Sequence, residues 1–454
     1  MIRPTFAAIA LLAGSSLSAQ SAQDALDIRY DRALAAGYKA LMLCSGLGHA
    51  AGLYRTIDSI ERYELTGIQA PLNDIAPTLT YHIENGSSPG LDYVTVDWAD
   101  DMPPRIAHYR ESVGCTLLPI GHAKPDREEG QPTRIDRVGD ATVYPLNERI
   151  DARVNAATRR ALDGATYGTQ TRTTAVLVRQ GGVTRGKGFA AGFDQNLPQR
   201  TWSVAKSVAA TLVGAAVQRG EVQVTDVAGL GAGENDPRAA ITIDQLLRMA
   251  SGRYSDTPGN RTDPLYWGGS TVAETALGWP LIHQPGTVYR YANNDTLAAV
   301  MAIRSSFDEQ PPADLFGKLG MHQTVAETDW RGDYILSSQV WTTSADLARF
   351  GQLYLDDGVW RGERVLPEGW VRYVSAPAGP QPDGNQGWGY GAGFWLFNDH
   401  AGIPADTFFA AGNRGQYVVI VPSRDVVIVR RGEDPVGTRF DIEAFTRDVL
   451  ATLD

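Results

Sequence analysis

The apolar positions in the last two thirds of the chain form two kinds of run. Short runs rich in β-branched and aromatic residues stand near both ends of this part, and the pair Gly181-Gly182 separates the first two of them. Such runs are typical of strands, and two of them joined by a Gly-Gly pair are typical of a hairpin. The runs predicted as strands are residues 173–180, 183–192, 392–397, 407–412, 416–422 and 425–432.

Longer runs of good helix formers lie between and beside these strands. Residues 203–220 are the clearest case, since an apolar segment ends at Gly220, a typical helix C-terminus. The other segments predicted as helices are residues 151–163, 243–252, 295–306, 344–358 and 440–453. Strands at both ends with helices between them predict an α/β fold of the α+β kind. Its antiparallel sheet is built from both ends of the domain and flanked by helices, with a helical subdomain in the middle.

The first part of the chain has a different pattern. Residues 24–145 show short mixed segments, Gly and Pro punctuation, and a polar stretch over 121–134 that is typical of a loop. A chain of 454 residues exceeds what one hydrophobic core usually serves. We therefore expect an extra N-terminal module over residues 24–145, of unknown role, and a larger domain over residues 150–454.

The N-terminus carries the pattern of a secretory signal. Arg3 precedes an apolar run from Phe6 to Leu12, and small residues continue through Ala22. The pattern predicts a signal peptide over residues 1–23 and a periplasmic or secreted protein. Neither this run nor a later one is long enough to cross a bilayer, so we expect no stable membrane span. The alternatives are a buried N-terminal helix and an uncleaved tether.

The charge, the histidines and the cysteines of the chain bear on which partners, metals and cross-links to expect. The net charge is −11 and the basic residues are scattered, which argues against a nucleic-acid partner. The seven histidines are dispersed without an HExxH or HxH spacing, so we expect no metal site and no cofactor. The two cysteines, Cys44 and Cys115, predict a disulfide in an oxidising compartment. Two separately buried thiols are the alternative.

One lysine stands out chemically. Lys206 alone among the five lysines has a serine three residues before it, Ser203, and it lies in an apolar predicted helix. This spacing puts both side chains on one helix face, with the serine in the first turn, where helix amides favour negative charge. A desolvated lysine with a lowered pKa could activate the hydroxyl as a nucleophile. A lysine that reaches solvent from a partly buried helix is the alternative.

Two further segments supply candidate site residues. Tyr291 could relay a proton to a leaving group, and Asn293 could orient the lysine or hold a substrate carbonyl. In the predicted late strand, Gly412 indicates close approach of the backbone to a ligand, and the N–H of Asn413 could complete an oxyanion hole with that of Ser203. The alternatives are a core tyrosine with a capping asparagine, and a plain hairpin turn.

From Asp151 to the C-terminus the chain resembles penicillin-recognising serine hydrolases. The resemblance rests on the order of these motifs and on residues 285–295, 342–371 and 410–429. It is strongest toward the class C β-lactamase-like branch, with its D-peptidases, family VIII esterases and nylon-oligomer (6-aminohexanoate-dimer) hydrolases. The resemblance implies a β-lactamase/transpeptidase-like fold. It also implies an acylated nucleophile at Ser203, a base at Lys206, a proton relay at Tyr291 and a substrate or lysine contact at Asn293.

The chain departs from the family at the third motif. The family has Lys or His two residues before the glycine, whereas this chain has Ala410. The resemblance gives that cation a role in holding a substrate carboxylate, so an esterase or amidase is predicted ahead of a β-lactamase or D-Ala-D-Ala carboxypeptidase. Arg414 is a candidate replacement for the cation. A catalytically silent binding protein on the same fold is the alternative of another class.

The expected partner is a small-molecule ester or amide, and the sequence leaves the oligomeric state open. Loops rich in aromatic residues predict an aromatic wall around the site, although core packing is an alternative explanation. The residues concerned are Tyr254, Tyr266, Trp267, Trp388 and Tyr390.

Overall fold

The computed structural model describes residues 7–453 except eight internal segments, with side chains from residue 21 onward. The segments left out are residues 51–54, 86–89, 111–112, 124–144, 234, 255–261, 385–386 and 399.

The N-terminal unit, residues 7–117, is a four-stranded antiparallel sheet covered by a long helix. Its strands pair in the order β1-β2-β3-β4, and α1 packs against β2, β3 and β4. A short 3-10 helix, Ala76–Thr78, precedes the sheet. The elements are α1 (Ala7–Gly48), α2 (Ile57–Tyr63), α3 (Leu72–Ile75), β1 (Tyr81–Asn85), β2 (Leu91–Val96), β3 (Arg105–Arg110) and β4 (Gly114–Leu117).

Helix α1 corrects one expectation from the sequence. Residues 7–48 form one 42-residue helix rather than short mixed segments. Residues 33–46 are buried on every side of this helix, so no polar stripe marks a helical period. Residues 1–6 and the side chains of 7–20 lie outside the described part of the chain, and the signal peptide over residues 1–23 stays a prediction.

The disulfide between Cys44 and Cys115 is confirmed. It joins the end of α1 to β4 across a sequence separation of 71 residues. In the chain-entropy picture, closing a loop of this length contributes about 4 kcal/mol to stability by restricting the unfolded chain. The N-terminal unit is therefore held together covalently as well as by its apolar core.

The remainder of the chain begins with a helix and a hairpin and continues through a mainly helical middle part. Three short 3-10 helices, Pro237–Ala240, Arg304–Asp308 and Pro422–Arg424, interrupt it. Up to residue 376 the elements are α4 (Ala152–Ala161), β5 (Thr173–Gln180), β6 (Val183–Phe189), β7 (Gln199–Arg200), α5 (Val204–Gln218), α6 (Ile243–Leu247), α7 (Asp263–Tyr266), α8 (Val272–Ala276), α9 (Asn293–Ala302), α10 (Pro312–Lys318), β8 (Val325–Ala326), β9 (Val340–Thr342), α11 (Ser344–Leu355), β10 (Val359–Trp360), β11 (Glu363–Arg364) and α12 (Trp370–Ser375). The last elements are β12 (Gly389–Tyr390), β13 (Trp395–Leu396), β14 (Phe408–Gly412), β15 (Gln416–Val421), β16 (Val426–Gly432) and α13 (Ile442–Thr452).

A seven-stranded antiparallel sheet joins both ends of this part, as the sequence predicts. The strand order is β12-β13-β14-β15-β16-β5-β6, so the early hairpin pairs with the last strand of the chain. Two small sheets accompany it, β7-β9-β8 and β10-β11. The predicted run 392–397 forms only the two-residue strand β13, and β12 was not predicted.

Both faces of the large sheet are covered. In β16, Val427 and Val429 enter one core with α5 and α11, whereas Val426 and Ile428 enter another with α4 and α13. Burial on both faces explains why the first four residues of this strand, 426–429, form a continuous apolar run. Within the described helices, none is long and apolar enough to span a membrane.

The N-terminal unit and the rest of the chain share an apolar core. Side chains of α1 pack in one cluster with Trp202, Trp267 and Trp341. The division of the chain near residue 145 stays a prediction, because the structure does not describe residues 124–144. The shared cluster matters for the site, since Trp202 directly precedes Ser203.

Candidate active site

Ser203 lies at the start of α5, immediately before its first residue. It is partly buried, while the helix behind it is enclosed on all sides except near its C-terminal end. The first N–H groups of a helix have no partner within the helix, and the helix dipole adds positive potential there. The hydroxyl therefore stands where developing negative charge is favoured.

Lys206 lies one turn further along the same helix, within hydrogen-bond distance of Ser203. Its ammonium nitrogen Nζ is 2.9 Å from Ser203 Oγ, 2.7 Å from Asn293 Oδ1 and 3.1 Å from the carbonyl oxygen of Ser337. The side chain is 2% exposed. The structure thus brings together three residues that the sequence singles out, and adds Ser337.

Burial lowers the pKa of Lys206 from 10.5 to about 7. The cause is desolvation, and none of the three contacts above is to a negatively charged group. A pKa near neutrality leaves much of the lysine as a free amine at physiological pH. A neutral amine beside a serine hydroxyl can accept its proton.

Tyr291 completes the cluster from the segment before α9. Its hydroxyl hydrogen-bonds with Ser203, and Lys206 Nζ lies 4.9 Å from the centre of its ring. Burial raises the pKa of Tyr291 above its usual value, so the phenol stays protonated and can donate a proton. Its ring packs against those of Tyr390 and Trp395, with centroid distances of 6.0 and 5.3 Å.

A ring of polar contacts that the sequence did not reveal holds Lys206 in place. The Nδ2 atom of Asn293 donates to Thr262 Oγ1 at 2.9 Å, so the amide keeps its oxygen toward Lys206. The Tyr266 hydroxyl lies 2.6 Å from Ser337 Oγ, next to the carbonyl that Lys206 contacts. Ser337 and Thr262 have no motif of their own, so no signal in the chain could have identified them.

Gly412 ends strand β14 beside Ser203. A Cβ atom at Gly412 would lie 2.3 Å from the carbonyl oxygen of Thr201 and 3.1 Å from the backbone nitrogen of Ser203. The glycine is therefore required by its close approach to the backbone just before Ser203. The next residue, Asn413, is exposed and follows directly after the point of contact.

Arg414 does not replace the missing cation, and that expectation is wrong. Its side chain is 2% exposed and turned toward the N-terminal unit. Atom Nη2 donates to the carbonyl of Thr66 at 2.7 Å, and Nη1 lies 3.2 Å from Glu433 Oε2. A guanidinium engaged in this way has no free edge for a substrate carboxylate.

The predicted aromatic wall is only partly present. Tyr266 and Trp267 are buried in the shared core, and Trp388 packs against Phe397 and Phe409. The rings of these three residues serve packing, and the Tyr266 hydroxyl also contacts Ser337. Tyr390 contacts Tyr291, as does Trp395, which the sequence analysis missed. Tyr254 is 42% exposed, and the loop after it, residues 255–261, lies outside the described chain.

Within the described residues, no group of three or more His, Cys, Asp or Glu side chains is arranged to hold a metal ion. The candidate site is instead built from one lysine and uncharged polar groups.

Comparison with known proteins places this site in a family context. A sequence-family model described as Beta-lactamase matches residues 151–451. "Penicillin-binding protein 4" from Amycolatopsis lactamdurans is 28% identical over 318 residues, which cover 60% of this chain and 81% of that protein. "6-aminohexanoate-dimer hydrolase" from Paenarthrobacter ureafaciens is 24% identical over 301 residues, covering 59% and 74%.

A solved structure gives the same fold. The "Putative 6-aminohexanoate-dimer hydrolase from Bacillus anthracis" superposes with a TM-score of 0.57 at 19% identity. The superposition covers 68% of this chain and 86% of the other. At this identity the likeness concerns the fold. The parts of this chain left unmatched by the family model are residues 1–150 and 452–454.

Proposed function

The chain belongs to the Beta-lactamase family of hydrolases, and from that premise we propose that it is a serine hydrolase that cleaves an ester or amide bond through an acyl-enzyme on Ser203. One observation carries the proposal. A buried lysine with a pKa lowered to about 7, Lys206, has its amine nitrogen 2.9 Å from Ser203 Oγ at a helix N-terminus. A serine needs such a base within hydrogen-bond reach to act as a nucleophile.

Acylation begins with proton transfer from Ser203 to neutral Lys206. The Ser203 oxygen forms a bond to the substrate carbonyl carbon, and the carbonyl oxygen becomes an oxyanion. The backbone N–H groups of Ser203 and Asn413 stabilise that charge, an interaction that grows as the transition state is reached. Gly412 supports the assignment, because it brings Asn413 beside the backbone of Ser203.

The tetrahedral intermediate then collapses to the acyl-enzyme. The bond to the leaving alcohol or amine breaks, and Tyr291 donates its proton to the leaving oxygen or nitrogen. Tyr291 is reprotonated from the Lys206 ammonium, so both groups return to their starting states. Water next loses a proton to Lys206, attacks the acyl carbon, and the acid leaves as Ser203 regains its proton.

The substrate class rests on the third motif. Ala410 stands where the family resemblance expects a cation, and Arg414 is turned away from the site. A substrate recognised through its carboxylate is therefore disfavoured. A neutral ester or amide fits better. The relative named for 6-aminohexanoate-dimer hydrolysis supports an amide as the bond that is cleaved, and says nothing for a neutral substrate. Hydrolysis of a β-lactam or of D-Ala-D-Ala is the second candidate, supported by the relative named as a penicillin-binding protein.

A silent binding protein on the same fold is disfavoured by the intact cluster of Ser203, Lys206 and Tyr291. Covalent labelling tests this directly. A fluorophosphonate probe is expected to add one adduct to the folded protein, and peptide mass mapping is expected to locate it on Ser203. Ser207→Ala is the matched control, because Ser207 lies on the same helix but donates to the Gly393 carbonyl. Labelling absent from wild-type protein, or retained in Ser203→Ala, contradicts the proposal.

A substrate panel distinguishes the two hydrolytic candidates. We expect the highest kcat/KM for a neutral p-nitrophenyl ester or a linear amide oligomer. Turnover of a chromogenic cephalosporin is expected to be at least about 10²-fold slower, since an unpaired substrate carboxylate loses a charge-assisted hydrogen bond. Initial rates at matched concentrations measure the difference. Faster cephalosporin hydrolysis would favour the β-lactamase alternative.

A further inference from the structure

The two backbone donors assigned to the oxyanion hole share an unusual feature. Ser203 is preceded by Trp202, whose φ is +50°, and Asn413 is followed by Arg414, whose φ is +58°. A bulky residue in this left-handed region is uncommon, because its Cβ crowds the backbone. Such a conformation persists only where surrounding contacts determine it. The contacts of Trp202 and Arg414 therefore bear on both donors.

The Arg414 side chain is fixed by backbone carbonyls. Its guanidinium donates to the carbonyls of Glu64 at 3.2 Å, Thr66 at 2.7 Å, Glu433 at 3.2 Å and Asp434 at 3.3 Å. The ion pair with the Glu433 carboxylate adds a fifth contact. Two of these carbonyls, at residues 64 and 66, belong to the N-terminal unit. The planar fork of arginine makes this set of bonds rigid.

The N-terminal unit holds its own side of this contact firmly. The Tyr38 hydroxyl of α1 donates at 2.9 Å to the same Glu64 carbonyl that accepts from Arg414. The Glu64 carboxylate is buried and bonded by Arg55. Residue 64 is thereby held through both its backbone and its side chain, and it offers Arg414 a fixed acceptor.

Trp202 packs against Arg200 and Trp267, and the N-terminal unit contacts Trp267 from behind. The Arg200 guanidinium lies 3.9 Å above the Trp202 ring, and the Trp267 ring is 6.1 Å away. Trp267 in turn packs edge-on against Tyr38 at 4.9 Å. Arg105 of β3 donates to the Trp267 carbonyl at 3.1 Å and to a carbonyl of α1 at 2.7 Å. Tyr38 is therefore common to both sets of contacts.

On the premise of the proposed function, we propose that the N-terminal unit positions the oxyanion hole, with Tyr38 and Arg414 as positioning residues for the Ser203 and Asn413 N–H groups. Neither side chain reaches the reacting atoms in this proposal. Arg414 connects the turn after β14 to the N-terminal unit through its hydrogen bonds. Tyr38 shares the Glu64 carbonyl with Arg414 and packs against Trp267, which lies behind Trp202. The inference gives residues 7–117 a role in catalysis.

The expected signature is a loss of kcat rather than of substrate affinity. Hydrogen bonds to an oxyanion strengthen only in the transition state, so a displaced donor lowers kcat with little change in KM. Removing one oxyanion donor lowers kcat by about 10²- to 10³-fold. Displacing a donor without deleting it is expected to give the lower end of that range.

Arg414→Gly is the decisive variant. Glycine adopts the left-handed conformation without strain, so the variant permits the turn but removes every tether. We expect kcat for a p-nitrophenyl ester to fall about 10²-fold, with KM changed by less than about threefold. The affinity for a boronic acid, whose tetrahedral adduct imitates the oxyanion, is expected to fall in proportion to kcat/KM. Unchanged kcat in the folded variant overturns the proposal.

A matched control separates positioning from general stability. Lys39→Met also removes buried hydrogen bonds within the N-terminal unit, because Lys39 Nζ donates to the carbonyls of Ala76 and Leu79. We expect a lower melting temperature but wild-type kcat below that temperature. A kcat loss in Lys39→Met equal to that in Arg414→Gly would mean that any destabilisation of the unit suffices, and would overturn the specific role of Arg414.

Two further measurements cover the remaining outcomes. If Arg414→Gly does not fold, Tyr38→Phe decides, since it removes only the hydroxyl on the Glu64 carbonyl. A kcat loss of severalfold supports the proposal and wild-type kcat overturns it. Amide hydrogen exchange over residues 408–418 gives a readout independent of activity. If the wild-type protein is inactive but Arg414→Gly still speeds this exchange, the proposed function is rejected and the positioning role is kept. If the exchange is unchanged in Arg414→Gly, the positioning role is rejected.

Discussion

Replacing Ser203 by alanine is expected to lower kcat/KM for an ester substrate by at least about 10⁴-fold, because the variant has no atom that can form the acyl-enzyme. The residual rate comes from binding and the oxyanion donors, which remain in place. Steady-state hydrolysis of a p-nitrophenyl ester measures the loss. Rapid mixing should also show that the burst of p-nitrophenol from acylation disappears.

The stability of this variant serves as its control. Ser203 is partly buried, and its hydroxyl is only one of three acceptors around Lys206 Nζ. We therefore expect the melting temperature of Ser203→Ala to stay within about 2 °C of wild type. Turnover that survives in a folded Ser203→Ala protein would assign the nucleophile elsewhere.

The large sheet was predictable because its strands carry a local signal. Residues 426–429 are apolar on both faces of the sheet, and the hairpin 173–189 is marked by Gly181-Gly182. The early hairpin and the late strands were predicted to form one antiparallel sheet, and the first hairpin does pair with the last strand. Strand β12 was not predicted, and β13 was predicted too long. A strand of two residues is too short to show an alternation of polar and apolar positions.

Helix α1 was missed because its sequence carries no local periodic signal. The part of this helix that is enclosed on all sides, residues 33–46, has no alternation of polar and apolar faces to mark a helical period. Only the surrounding sheet and the tryptophans of the shared core show that residues 33–46 are helical and buried. The sequence also did not predict that this helix packs against the part of the chain that carries the candidate site.

In the candidate site, too, only the contacts between residues close in sequence could be predicted. Ser203 and Lys206 are three residues apart, so their contact could be read from helical geometry. Asn293 and Ser337 contact the same lysine from 87 and 131 residues away, and only Asn293 had a motif around it. Arg414 was misassigned because the position of an arginine next to a motif does not show which way its side chain points. The fold turns it toward Thr66.

Lys206→Met is expected to lower kcat/KM by about 10³-fold and to change its pH dependence, since general-base catalysis contributes about 10²- to 10⁴-fold. Burial places the pKa of Lys206 at about 7. Below that pH the ammonium form predominates and cannot accept the Ser203 proton. In the wild type, kcat/KM should therefore rise with pH through about 7 and level off above it. The methionine variant should lose this ascending limb, whereas substrate binding should change little.

Lys187→Met is the matched control, because Lys187 is a partly exposed lysine paired with Glu148 at 2.7 Å and distant in role from the site. It should keep both the rate and the pH profile of the wild type. The pH profile of Lys206→Met is more informative than its rate. Methionine removes the hydrogen-bond donor of the Asn293 amide oxygen and the Ser337 carbonyl, which can itself slow the reaction. Such a packing defect would lower kcat/KM equally at every pH. A Lys206→Met protein that is slower but keeps its limb near pH 7 would mean that another group is the base.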